Sequence, residues 1–314
     1  MPYPDFLCIG ANKCGTTWFH WNLKRHNQIS LPYIKEINYF DNQADSIPNG
    51  FIGRLFSSKA GTWKRQLKKQ LYISNNYKDI KRMKWMIRYF FGFRSDKWYS
   101  SLFCPTNDQI SGEVTPSYYC LDYEHVERIH KLMPDCKIIF LMRNPVEQIW
   151  SMVKFVSFKV LNNKFNDVPH IELKKLCDCS DRLRKSDYLM HLSNWENLFP
   201  KENILIGFYD EIKDCPEEFL RKTFDFLGVE HTQDNAYAVA QKVINSGPKL
   251  IIPDDIRVIL AQKTYGILQR LHGRFGGYAT KWLEEETEFL RKHSALSEDE
   301  SPSSLRSAKY CCTA

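Results

Sequence analysis

"FLCIGANKCGTTWFHWNLKRH", residues 6–26, sets an apolar run, Phe6 to Ile9, against Gly10 and then a helix-like stretch that begins near Thr16. A short apolar run, a glycine turn and a helical pattern together form a strand-to-helix corner. Gly10 and Gly15 let the backbone curl tightly, so successive N–H groups can point at one oxyanion. The helix that follows adds the positive end of its dipole to the same point. Lys13 brings a full charge, and Thr16 and Thr17 bring hydroxyls. An anion site is expected here. A nucleoside-triphosphate loop reads G-x-x-x-x-G-K-[ST], with lysine directly after the second glycine. In this chain Thr16 holds that position and the lysine comes earlier.

Working outward, further strands are expected at Ile110–Val114, Lys137–Met142 and Asn203–Phe208. Helices are expected at Thr16–His26, Glu124–Leu132, Val146–Phe155 and Pro216–Leu227. Apolar runs separated by helices of this length indicate parallel β-α units, an α/β fold with a central parallel sheet flanked by helices in three layers. Ligands of such sheets sit at the carboxyl ends of the strands. The run "KIIFLM" ends there in Arg143, Asn144 and Pro145, with no aspartate of the kind that helps to hold Mg²⁺ in nucleotide hydrolases. A strand that delivers an arginine suggests a second anion, held by direct charge-assisted bonds. Ser151, two turns into the next helix, lies on a face that can return to it. The ligand expected is one with two separate anionic groups and no metal between them.

The whole chain, 314 residues with 43% hydrophobic and 26% charged content, suits a globular protein with one sizeable core. A formal charge of +7 leans towards anionic partners: nucleic acid, a polyanionic sugar or a charged nucleotide. No stretch approaches the roughly 20 apolar residues that span a bilayer, and the N-terminus lacks a signal pattern. A cytoplasmic protein is the expectation, with a luminal catalytic fragment as the alternative. The ten cysteines are scattered without a C-x-x-C pair, so reduced thiols are expected, with a Cys177–Cys179 or Cys311–Cys312 contact as the exception. Residues 1–293 are expected to form one domain, with a helical insertion at about 50–100, and the Ser-rich residues 294–314 a disordered tail. Between Arg54 and Lys97 stand thirteen Lys or Arg against Asp79 and Asp96, with aromatics interleaved. Two readings of this segment stay open: a solvated basic helix pair with an aromatic underside, or a wall that binds an anionic or sugar acceptor.

From the residues alone, three functions fit: a group-transfer enzyme with a two-anion donor, a small-molecule kinase with an aberrant loop, or a non-catalytic nucleotide- or polyanion-binding module. The motifs in order resemble one family. "GANKCGTT" (10–17) is similar to the 5′-phosphosulfate loop, and "RNPVEQIWS" (143–151) to the 3′-phosphate motif, of sulfotransferases that use 3′-phosphoadenosine 5′-phosphosulfate (PAPS). "LPYIKEINYFD" (31–41), "GEVTPSYY" (112–119), the segment 203–229 and "VINSGPKLIIPDDIR" (243–257) resemble blocks of the branch with heparan and bacterial carbohydrate sulfotransferases. The resemblance spans about residues 5 to 283.

It implies a P-loop-like fold in which Lys13, Cys14, Gly15, Thr16 and Thr17 hold the phosphosulfate, with Lys13 near the bridging oxygen. Arg143 and Ser151 would bind the 3′-phosphate, and Lys249 would belong to a loop closing over the donor. Glu36 would be the general base, with Asp41 a weaker candidate for orienting it. The acceptor would be a hydroxyl or amine of a carbohydrate or related small molecule, with no metal required, no nucleic acid and no membrane span. Neighbours on an extended segment point opposite ways, so only one of Lys35 and Glu36 is expected to face the cleft. His20 and His26 are expected on a helix surface. The chain departs from the family at Gln148, where relatives often carry Arg, and at Val114, where some carry Lys.

Overall fold

The structure is a computed structural model that describes residues 3–41, 48–73, 79–160, 168–231 and 250–294. Its centre is a sheet of five strands: β1 (Phe6–Gly10), β2 (Ile29–Ser30), β3 (Ile110–Val114), β4 (Lys137–Met142) and β5 (Ile204–Phe208), in the order β2-β3-β1-β4-β5. Every pairing is parallel; Cys8 stands opposite Val114 on one side and Ile139 on the other. All of β1 and Ile138–Met142 of β4 are buried, as strands covered by helices on both faces must be. The expected α/β class with its parallel sheet is present. Only β2, two residues long, has no sequence signal of its own.

Helices complete the layers. α1 (Thr16–Leu23) leaves the first strand and ends before His26, because its last N–H groups tighten onto nearer carbonyls (Arg25 to Asn22 at 3.1 Å, His26 to Leu23 at 3.0 Å). The insertion holds α2 (Phe51–Phe56), α3 (Gly61–Ile73), α4 (Ile80–Phe91) and α5 (Asp96–Ser100). Then follow α6 (Tyr123–Leu132), α7 (Pro145–Val160), α8 (His170–Cys177), α9 (Ser180–Ser186) and α10 (Tyr188–Glu196). After β5 come α11 (Tyr209–Asp214), α12 (Pro216–Leu227), α13 (Asp254–Phe275) and α14 (Gly277–Ser294). Pro145 and Pro216 each open a helix, where a missing N–H costs nothing.

The main core joins the sheet to α1, α6, α10 and α12, with Trp195 and Trp282 fully enclosed. A second cluster packs Val146, Ile149 and Val153 of α7 on Ile256, Leu260 and Ala261 of α13. The insertion does have an aromatic underside: Trp85 and Tyr89 stack at 5.1 Å and are buried with Trp63 and Phe90. Arg54 is buried there too, donating to the carbonyls of Phe90 (3.2 Å) and Gly92 (2.6 Å). The described cysteines are all free, Cys177 and Cys179 included; Cys311 and Cys312 lie outside the described residues. Among the described residues no helix is long and apolar enough to cross a membrane.

Candidate active site

A cleft of about 890 Å³ opens where β1, β4 and β5 hand over to their helices. Lys13, Gly15, Thr16, Thr17, Glu36, Arg143 and Ser151 line it together. Residues that are up to 138 positions apart in sequence thus converge at the carboxyl edge of one parallel sheet.

The loop before α1 is built around left-handed backbone. Gly15 has φ +89°, a conformation that favours glycine, and a Cβ there would press Ile212 Cδ1 of α11 at 2.9 Å. Lys13 carries φ +68° without being a glycine, a strained state that the surrounding structure must hold. Gly15 caps α1 with no side-chain bond. Among the described residues, no hydrogen bond is donated by the backbone N–H of Lys13, Gly15, Thr16 or Thr17, so these donors are open to an anion. Cys14 differs from its loop neighbours. Its thiol is buried against Tyr188 (3.7 Å) and its N–H donates to the Ala11 carbonyl (3.3 Å), so it closes the loop and does not line the cleft.

Lys13 Nζ lies over the Phe155 ring, 4.7 Å from its centre. Burial, followed by the charges of Arg143 and Lys154, holds its pKa below the ordinary lysine value. A bound anion would oppose this lowering by favouring the charged form. Arg143 reaches back across the cleft: its guanidinium donates to Glu147 (2.9 Å from Nε) and to the Lys13 carbonyl (3.4 Å), and stacks 4.5 Å over the Tyr209 ring. The Tyr188 hydroxyl holds the Arg143 carbonyl at 2.9 Å. Glu147 and Ser151, four residues apart, share one side of α7's first turns, and Arg143, just before the helix, is drawn to that side by Glu147.

Behind this corner, Glu286 of α14 is buried and takes Asn144 Nδ2 at 3.1 Å and the Arg257 guanidinium at 3.0 Å. Gln148 is fully buried and donates to the Asn12 carbonyl at 3.1 Å, tying the loop to α7; it does not reach the cleft.

Glu36 sits on the segment that follows β2, with φ +65°. That turn removes the alternation expected of an extended chain. Lys35 and Glu36 both line the cleft, and their side chains form an ion pair at 2.6 Å, with 18% and 44% exposure. Asn38, at φ +54°, donates to the Glu36 carbonyl (3.0 Å) and accepts from Ser117 (3.1 Å). Beneath them lies Glu113, a buried carboxylate that accepts from the Ile37 N–H (3.1 Å), Tyr99 (2.6 Å), Tyr118 (3.2 Å) and the Thr115 hydroxyl. Burial raises its pKa, against the pull of those donors. Tyr118 in turn accepts from the Tyr39 N–H at 2.8 Å. The "GEVTPSYY" block is therefore the floor that fixes the backbone immediately after Glu36. Asp41 does not line the cleft.

Both histidines lie elsewhere than expected. His20 is buried, and burial together with the Lys35 and Lys24 charges lowers its pKa to about 3, which keeps it neutral. His26 is buried with Nε2 2.8 Å from the Glu230 carbonyl. Neither lines the cleft, nor does any described residue of the insertion. Lys249 lies outside the described residues.

Sequence reasoning missed Tyr209, Lys213, Arg182 and Lys185, which also line the cleft. Lys213 pairs with Asp210 (2.9 Å) and Lys185 with Asp181 (2.7 Å). Tyr209 could have been found, because it follows the third strand-to-helix corner, at the end of β5. The α9 cations carry no such signal.

Comparison with known proteins bears on this geometry. The profile of the sulfotransferase family matches residues 4–234. Heparan sulfate glucosamine 3-O-sulfotransferase 6 of Mus musculus is 30% identical over 141 residues, 42% of this chain and 40% of that protein. Carbohydrate sulfotransferase 15 of Mus musculus is 23% identical over 315 residues, 90% of this chain and 54% of that protein. The chain thus spans about half the length, or less, of these curated relatives. A sulfotransferase structure from Alicyclobacillus acidocaldarius shares the fold, with a TM-score of 0.60 at 19% identity over 90% of this chain and 99% of that one.

Proposed function

The chain belongs to the sulfotransferase family, and from that premise we propose that it moves a sulfuryl group from PAPS to a hydroxyl or amine of a carbohydrate or carbohydrate-like acceptor. The observation that carries this is the single cleft in which an open-donor loop with Lys13, a second cationic corner with Arg143 and Ser151, and the carboxylate of Glu36 meet. Bound PAPS would supply an activated sulfuryl group on a 3′,5′-bisphosphate. The residues fit such a donor because the loop's N–H groups and Lys13 have no carboxylate partner among the described residues, while Arg143 offers a separate charge-assisted site.

Lys13, with Thr16, Thr17 and the loop amides, stabilises the negative charge that builds on the departing phosphate more than the ground state. Arg143 and Ser151 anchor the 3′-phosphate and so fix the register of the nucleotide. Glu36 accepts the acceptor's proton. Lys35 pairs with it at 2.6 Å and so fixes where the carboxylate sits in the cleft. Glu113 holds the turn that aims it.

The names of the two relatives support a sugar acceptor, and the cations at the cleft rim, Arg182 and Lys185, suit one that carries negative charge. Purified protein is incubated with PAPS and a panel of sugars, and mass spectrometry reads addition of one sulfuryl group. Transfer to a sugar is expected. Bisphosphate binding without transfer to any acceptor would mean a binding module, and Mg²⁺-dependent ATP consumption would mean a kinase.

A further inference from the structure

The insertion's basic surface has no part in the cleft, yet α4 exposes an apolar stripe beside two of its lysines. Ile80, Met83, Ile87 and Phe91 are 62%, 41%, 56% and 53% exposed. Their spacing, in steps of three and four, puts them on one side of the helix. The opposite side is already used, since Trp85 and Tyr89 are buried in the core. Phe91 stacks on Phe51 at 4.6 Å, which brings the start of α2 to the end of the stripe. There α2 exposes Ile52 and Phe56, the latter by 81%. Lys81 and Lys84 are exposed on α4 itself; Arg65, Lys68 and Lys69 are exposed on α3, which meets α4's other side through Gln66 and Tyr89 (3.0 Å). Among the described residues none of these five has a carboxylate partner.

We propose that the outer face of α4, with the exposed end of α2, docks on an anionic lipid membrane. A bilayer surface takes both halves of this face at once: the apolar stripe enters the headgroup boundary while Lys81 and Lys84 beside it meet anionic lipid. A sulfated sugar chain would satisfy the lysines and leave Ile80, Ile87 and Phe91 in water. A second copy, set against itself across a two-fold axis, would bring like charges together. A protein that wraps an amphipathic helix needs that helix free, and α4 is held on its far side by Trp85 and Tyr89. A flat anionic surface fits the one side left open.

The test floats the full chain with vesicles of phosphatidylcholine alone and with about one-third phosphatidylserine. Binding at least ~10-fold stronger to the anionic vesicles is expected, falling as salt rises. Lys81→Gln with Lys84→Gln should weaken it roughly thirty-fold, at about a factor of five per cation. Met83→Ser with Ile87→Ser should weaken it on the order of ten-fold or more while leaving the charge unchanged. All four positions are exposed, and an unchanged melting temperature verifies the fold. Three results would overturn the proposal. One is equal binding, or none, to the two vesicle types. Another is binding that needs the lysines but ignores the apolar pair, which describes a polyanion surface. The third is a dimer that Met83→Ser with Ile87→Ser dissolves in a protein that does not bind vesicles.

Discussion

Lys13 in the cleft and Lys68 on the insertion belong to equally basic surroundings, but the fold treats them differently. Lys13 is half-buried beside Arg143, in backbone that only a tightly braced loop tolerates, and its pKa is pulled down by burial. Lys68 and Lys69 stand in solvent on α3. The insertion has more cations than the cleft, so the count of charges does not mark the candidate site. What marks it is the cost of holding charge there without an anion: desolvated cations, open N–H groups, and positive φ at Lys13, Glu36 and Asn38. A site that holds its donors ready before the ligand arrives has little reorganisation left to do during reaction.

The sharpest break of this comparison is at Glu36. Glu36→Gln should lower turnover by about 10²–10⁴, the usual contribution of a positioned base, while bisphosphate affinity stays near wild type. If turnover survives, the proton goes elsewhere. Next comes Lys13→Ala, which should cost about 10²–10³ in kcat, on the scale of one lost oxyanion donor.

Lys13 also gives a pH signature. Because its folded-state pKa lies below that of an ordinary lysine, bisphosphate affinity should fall as pH rises through that lowered value. Lys13→Arg, which stays charged, should flatten the curve, as titration calorimetry across pH would read. A fall at the same pH in Lys13→Arg would move the effect to another group.

Glu113→Gln concerns the floor under Glu36. Replacing a buried acceptor of four donors by an amide should cost about 1–3 kcal/mol in a melting experiment, and turnover should drop more than bisphosphate binding. The smallest effect is at Glu147, which competes for Arg143 at 2.9 Å. Glu147→Gln should tighten the bisphosphate by a few-fold, since a half-exposed ion pair is worth about 0.2–1 kcal/mol. Weaker binding would mean that Glu147 aims the guanidinium more than it competes for it.

The sheet was legible because buried parallel strands are plain apolar runs, and Phe6–Ile9 and "KIIFLM" carry that signal without help. The turn from β1 into α1 was legible because glycine spacing and a helix start are local. The turn at Glu36 was not: its φ is held by Glu113 and Tyr118, some eighty residues downstream, and local alternation predicts the opposite geometry. The burial of His20 and His26 also depends on partners distant in sequence, such as the Glu230 carbonyl. α13 was readable and overlooked: Ile256, Leu260, Thr264 and Leu268 recur every four residues and are all buried. The bracing of Asn144 by Glu286 could not be read, because no local pattern pairs a C-terminal helix with a strand end.

The central claim is that one cleft holds two separate anionic groups of one nucleotide. Titration calorimetry without metal can compare adenosine 3′,5′-bisphosphate with adenosine 5′-phosphate, on the wild type and on Arg143→Ala with Ser151→Ala. The wild type should prefer the bisphosphate by roughly ten- to hundred-fold, the worth of charge-assisted bonds to one phosphate, and the double variant should lose that preference. Equal affinity of the wild type for both nucleotides would contradict the two-anion cleft.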